Sequence, residues 1–129
     1  MRASIVIRTL DEARHLGDLM AMIARQETAL PDGRTLQVET VLVDSGSTDG
    51  TVEIARAAGA RITTIEKREF SFGRSLNRGC AVATGDVLVF ISGHCVPARR
   101  DWLVRLCAPV AEGRVAYSYG RQIGDDDSN

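Results

Sequence analysis

Short apolar runs alternate with longer helical patterns along the chain. Residues 4–7 form a compact β-branched run, and residues 12–26 set Leu16, Leu19, Met20 and Ile23 on one helical face. Pro31, Asp32 and Gly33 make a turn before a second predicted strand at 39–43. A helix over 49–58, with Val52, Ile54 and Ala55 facing inward, closes on Gly59 in the C′ position. A third strand spans 61–65, and a charged connection with two aromatics spans 66–72. The pattern then predicts a helix over 73–83, ended by Thr84-Gly85, and a strand over 87–91. A helix over 101–110 carries Trp102, Leu103 and Leu106 as its stripe, and a last strand covers 115–119.

This rhythm argues for right-handed βαβ crossovers: an α/β, three-layer, Rossmann-like fold with a mainly parallel sheet and helices on both faces. Ligands of such sheets sit outside the carboxyl ends of the strands. Thr9, Asp11 and Glu12 follow the first strand, Asp44 ends the second, and Ser92, Gly93 and His94 end the fourth. These groups are expected on one edge.

The stretch VLVDSGSTDGT, residues 41–51, ends an apolar run in carboxylates, hydroxyls and glycines. Ser47, Thr48 or Asp49 suits a helix cap, and the glycines suit a tight turn. Asp44 lies ahead of the cap and needs a partner, because a buried, unpaired carboxylate is costly. A nucleoside offers base N–H and ribose hydroxyl donors. The loop is neither a GxGxxG nor a P-loop signature.

With 129 residues the chain is the size of one domain. A net charge of −1 gives no general attraction to nucleic acid or anionic lipid, so anion binding must be local. Cys80, Cys95 and Cys107 lack zinc-ligand spacing and read as reduced thiols. No segment resembles a signal peptide or approaches the ~20 apolar residues of a membrane span. The expectation is a cytoplasmic protein, free or held at the inner face of the membrane.

VLVDSGSTDGTVEIA resembles the second-strand motif of family 2 glycosyltransferases of the GT-A fold. SIVIRTLDEARHL is similar to the family's opening strand, with Asp11 in the usual Asn position. EFSFGRSLNRGCAVATGDVLVFIS resembles its third-helix and fourth-strand region, VPARRDWLVRL the segment after the metal motif, and YSYGRQI a strand of the bacterial rhamnosyltransferase-like branch. The resemblance implies one nucleotide-sugar-binding domain over residues 1–129, truncated before the acceptor-binding half. It implies that Thr9 and Glu12 border the nucleoside pocket, that Asp44 accepts from the base, and that Arg74 approaches the diphosphate. Asn77 and Ser92 complete the implied nucleotide-sugar set. The plain alternative for Arg74 and Asn77 is a solvated helix face.

Family members carry Asp-x-Asp at the end of the fourth strand to hold a divalent cation; here Ser92-Gly93-His94 stands there. Three readings follow for His94: ligand to a metal, manganese more readily than magnesium; contact to the diphosphate; or a position that no longer binds. Asp125, Asp126 and Asp127 read as a solvated run rather than replacement ligands, and His15 as a surface residue.

The resemblance implies inverting transfer from a nucleoside-diphosphate sugar to a glycan or lipid-linked acceptor, with the catalytic base supplied by the acceptor half. Without that half, self-association through an exposed sheet face or edge is expected. One alternative is a catalytically incompetent nucleotide-binding module that scaffolds a partner. A nucleotidyltransferase is another, weakened by the lack of a Gly-rich loop after the first strand.

Overall fold

A computed structural model describes residues 1–69 and 71–113. The elements run β1 (Arg2–Thr9), α1 (Ala13–Ala24), β2 (Gln37–Asp44), α2 (Thr51–Ala57), β3 (Arg61–Thr64), α3 (Phe72–Val82), β4 (Val87–Ser92) and α4 (Trp102–Ala111). Lys67–Glu69 adds one 3₁₀ turn inside the charged connection. The strand expected at 115–119 and the acidic residues 125–127 lie outside the described residues.

The sheet is parallel throughout, in the order β3-β2-β1-β4. β1 and β2 pair without interruption from Arg2 opposite Gln37 to Thr9 opposite Asp44. Continuous backbone pairing carries both strands through polar residues that apolar patterning alone leaves out. From β1 the chain steps outward to β2 and β3, then returns across the sheet to β4. Right-handed crossovers therefore put α1 and α2 on one face and α3 on the other, with the reversal of direction between β1 and β4.

Alternation along each strand feeds two cores. Ile5, Ile7, Leu42, Val87 and Val89 meet Leu16 and Leu19 of α1 and Leu103 and Cys107 of α4. Burial pushes the Cys107 thiol up to about 11, which leaves it a packed, protonated group. On the opposite face Val6, Val41, Val43 and Ile65 pack against Val82 and Ala83.

α3 approaches closely because Gly79 has no side chain: a Cβ there would drive into Val6 Cγ1 and lie 3.1 Å from Val43 Cγ2. The helix packs on β1, β2 and β3, while Leu88 and Phe90 of β4 stay 41% and 45% exposed on that side of the sheet.

Glu39 fastens the amino end of the sheet. Its Oε2 accepts from Ser4 Oγ at 2.5 Å, Thr84 N at 2.6 Å and Thr84 Oγ1 at 2.7 Å, and Arg61 Nη1 lies 3.3 Å from Oε1. These bonds tie the turn after α3 to three strands, leaving the carboxyl edge for other chemistry.

Candidate functional site

At the carboxyl edge, the turns after β1 and β2 are stitched into one unit. Thr9 Oγ1 donates to Asp44 Oδ1 at 2.8 Å, and Ser47 Oγ donates to the same oxygen at 2.5 Å. Asp44 Oδ2 accepts from Gly46 N at 3.0 Å and Ser47 N at 2.8 Å. A carboxylate offers about four acceptor positions, and these four donors fill them. Burial pushes the Asp44 carboxyl up, but the Ser47 hydroxyl and amide, Thr9 and Gly46 together outweigh it and hold it below the usual carboxylate value.

The partner that a buried Asp44 requires is thus the protein itself. The burial of Asp44 alone therefore does not call for a ligand, because Thr9, Gly46 and Ser47 already satisfy it.

Asp11 adopts a left-handed backbone with φ 53°, a region that Asn and Asp enter more readily than most residues. Its amide donates to Ser47 Oγ at 2.8 Å, and its Oδ1 accepts from Thr48 N at 2.8 Å. Thr51 Oγ1 accepts from Glu12 N at 2.9 Å. The Asp49 carboxylate accepts from Ala13 N at 3.0 Å, from Thr51 N at 3.1 Å and from the Thr51 hydroxyl. It serves the starts of two helices, so the N-cap of α2 falls on Gly50 and the helix begins later than its pattern predicts.

The fourth strand closes on this unit from the other side. Ser92 pairs with Arg8 in register, Arg8 Nη2 donates to Ser92 Oγ at 2.9 Å, and Gly93 N donates to Arg8 O at 2.9 Å. A Cβ on Gly93 would lie 2.7 Å from Thr9 Cγ2 and 3.1 Å from Glu12 Cγ, so only glycine lets the strand end sit this close. His94 Nδ1 then lies 3.5 Å from Glu12 Oε1, with the imidazole exposed. His15, expected at the surface, is half-buried.

Thr9, Glu12, Asp44, Ser92 and His94 therefore occupy one connected edge. Arg74 and Asn77 stand apart from them, exposed on α3, where they line an open hollow of about 600 Å³ with Ile65, Glu69 and Arg78. A neighbouring hollow of about 460 Å³ runs along Asp44, Ser45, Gly46 and Lys67 and shares Ile65 with the first. Ser71 caps α3 by accepting from Arg74 N at 3.1 Å.

Two residues escaped the sequence reading. Arg8 announces itself only as a basic residue interrupting an apolar strand at its carboxyl end, and Lys67 is one charge among several in its connection.

Among the described residues no three His, Cys, Asp or Glu side chains gather as ligands. Glu12 and His94 form a pair, and Arg8 occupies the Ser92 hydroxyl. Magnesium takes a near-octahedral set of oxygens, often through one or two carboxylates, so this edge does not fit the cation site that the resemblance implies.

The sequence profile described as Glycosyl transferase family 2 matches residues 4–129. The chain belongs to this family. It is 33% identical over 110 residues to the glucosyl-3-phosphoglycerate synthase of Mycolicibacterium paratuberculosis, covering 78% of this chain and 32% of that protein. It is 26% identical to the O-antigen chain rhamnosyltransferase of Salmonella typhimurium, covering 100% of this chain and 40% of that protein.

Among solved structures, the glucosyl-3-phosphoglycerate synthase of Mycobacterium tuberculosis, in complex with Mn²⁺, UDP and glucosyl-3-phosphoglycerate, superposes with a TM-score of 0.66. Its identity is 28%, over 84% of this chain and 39% of that one. The parallel sheet and these neighbours give the α/β, Rossmann-like GT-A fold. This family 2 chain spans well under half the length of the relatives named here. No helix among the described residues is long and apolar enough to cross a membrane.

Proposed function

We propose that this chain is the donor-binding part of a glycosyltransferase that takes a sugar from a nucleoside diphosphate and passes it, with inversion, to a glycan or lipid-linked acceptor. The observation carrying this reading is the gathering of Thr9, Glu12, Asp44, Ser92 and His94 at the point where the strand order reverses, the usual ligand position in open α/β sheets. The nucleoside lies against the stitched turns, with Thr9 and Glu12 at its border. Asp44 acts by holding the loop that shapes the pocket. Arg74 and Asn77 reach toward the nucleotide from α3.

The synthase of M. tuberculosis binds UDP with Mn²⁺. That supports a nucleoside diphosphate as the ligand here and makes the divalent cation a separate question, because this edge lacks the paired carboxylates. Titration calorimetry of the chain with UDP, dTDP and GDP, each with manganese and with EDTA, tests the reading. Binding of at least one is expected, and failure of all three under both conditions overturns it. Binding without turnover of any sugar nucleotide by the chain alone marks a donor module that needs its acceptor half.

A further inference from the structure

Lys67 stands over the Asp44 turn with its charge unmatched. Thr64 pairs with Asp44 at the last rung of β2 and β3, and the chain leaves that rung through Ile65 and Glu66 into the 3₁₀ turn that Lys67 begins. The lysine stem comes back toward β2. Its Cε lies 3.8 Å from where a Gly46 Cβ would be, and Gly46, at φ 110°, sets no side chain between them. Lys67 is exposed and lines the hollow of about 460 Å³ together with Asp44, Ser45 and Gly46. Glu66, the neighbouring carboxylate on the same wall, pairs with Arg68 at 2.6 Å, and Lys67 has no ion pair among the described residues.

The acceptors beside Lys67 are already in use. The Asp44 carboxylate is filled by Thr9, Gly46 and Ser47, its backbone carbonyl accepts from Ile65 N at 2.9 Å, and the Ser45 hydroxyl donates to Thr9 O at 3.2 Å. The group left to meet a ligand on this flank is an ammonium, which has three N–H donors and no acceptor. It selects a ligand that brings an acceptor oxygen.

Position across the sheet says which part of a nucleotide that is. In the order β3-β2-β1-β4 the hollow spans the ends of β3 and β2, Thr9 ends β1, and Ser92 and His94 stand at β4, about 10 Å from the β2 end at the usual strand spacing. With the nucleoside against the stitched turns and the transferred sugar toward the strand reversal, the base is the end that comes to Lys67. Bases differ there. Uracil and thymine carry the acceptor O4 and guanine the acceptor O6, whereas cytosine and adenine carry an amino donor at the corresponding place.

We propose that Lys67 reads the base of the sugar nucleotide, donating to the ring carbonyl of uracil, thymine or guanine and disfavouring cytosine and adenine, whose amino groups meet the ammonium donor to donor. The inference rests on the donor-binding reading above and names the class of base that the same site takes.

Calorimetry of the 129-residue chain with UDP against CDP and GDP against ADP, in manganese and in EDTA, tests it. The comparison within each pair holds ring size and diphosphate constant. In at least one pair the carbonyl member is expected to bind about tenfold tighter, the scale of one hydrogen bond to a charged group at an exposed site. Lys67→Met keeps the apolar stem over Gly46 and removes the donor, so it is expected to weaken the carbonyl member about tenfold, to leave the amino member unchanged and to abolish the preference.

Equal binding within both pairs by the wild-type chain overturns the inference, and so does a preference that survives Lys67→Met. Equal losses for both members of a pair in that variant also overturn it, because they place the ammonium on the diphosphate or ribose rather than on the base. Each of these results leaves donor binding itself standing. A wild-type chain that binds none of the four, nor dTDP, under either condition overturns the donor-binding reading together with this one.

Discussion

Thr9 Oγ1 donates to Asp44 Oδ1 across 2.8 Å at the last rung shared by β1 and β2. The bond joins the turns that follow β1 and β2, and Asp44 is only 2% exposed. Removing the carboxylate strands Thr9 Oγ1, Ser47 Oγ and the amides of Gly46 and Ser47. Asp44→Ala is therefore expected to cost about 2 to 3 kcal/mol in urea unfolding, and Thr9→Val about 1 kcal/mol. An Asp44→Ala midpoint equal to wild type would show that the loop stands without it.

Acid should loosen the opposite edge. Glu39 is held down to about 2 by the Ser4 hydroxyl, the Thr84 amide and hydroxyl and Arg61, against an ordinary value of 4.5. Its folded pKa lies below the unfolded one, so its contribution is whole above about pH 4.5 and is lost as pH falls toward 2. Glu39→Gln should cost about 1 to 2 kcal/mol at pH 7 and flatten the fall in urea midpoint across that acid window. A variant whose acid profile overlays the wild type would remove Glu39 as its source.

The helices and strands of the described residues were legible because their apolar periods are strong and their stops are chemical, such as Gly59 and Thr84-Gly85. The convergence of Thr9, Asp44 and Ser92–His94 followed from strand ends alone. What sequence could not show was who satisfies whom. Asp44 looks like a carboxylate in search of a ligand until Ser47 and Gly46 are seen turning back onto it. Arg8 was hidden because its meaning comes from β4, 84 residues away in sequence and adjacent only through the crossover.

Close approach makes Gly93 a sharp probe of the site. Any side chain there meets Thr9 Cγ2 and Glu12 Cγ, so Gly93→Ala must push Ser92 and His94 away from the β1 turn. Stability should fall by about 1 to 3 kcal/mol, the usual cost of overpacking, and nucleotide affinity should fall with it. Wild-type affinity in a folded Gly93→Ala protein would place the ligand away from the β4 end.

Ser75 offers the opposite kind of test. Its side chain is 0% exposed, and its Oγ has no hydrogen-bond partner among the described residues. It lies one helical turn before Gly79, on the sheet-facing side of α3. Four residues of helix advance about 6 Å and two of strand about 6.6 Å, so Ser75 comes level with Arg8 as Gly79 comes level with Val6. An unpartnered buried hydroxyl is a cost that alanine removes, so Ser75→Ala should leave stability unchanged or raise it by up to about 1 kcal/mol. If the variant instead melts well below wild type, the hydroxyl has a partner in solution, and the Arg8 guanidinium at the same level is the first to examine by a double-mutant cycle with Arg8→Met.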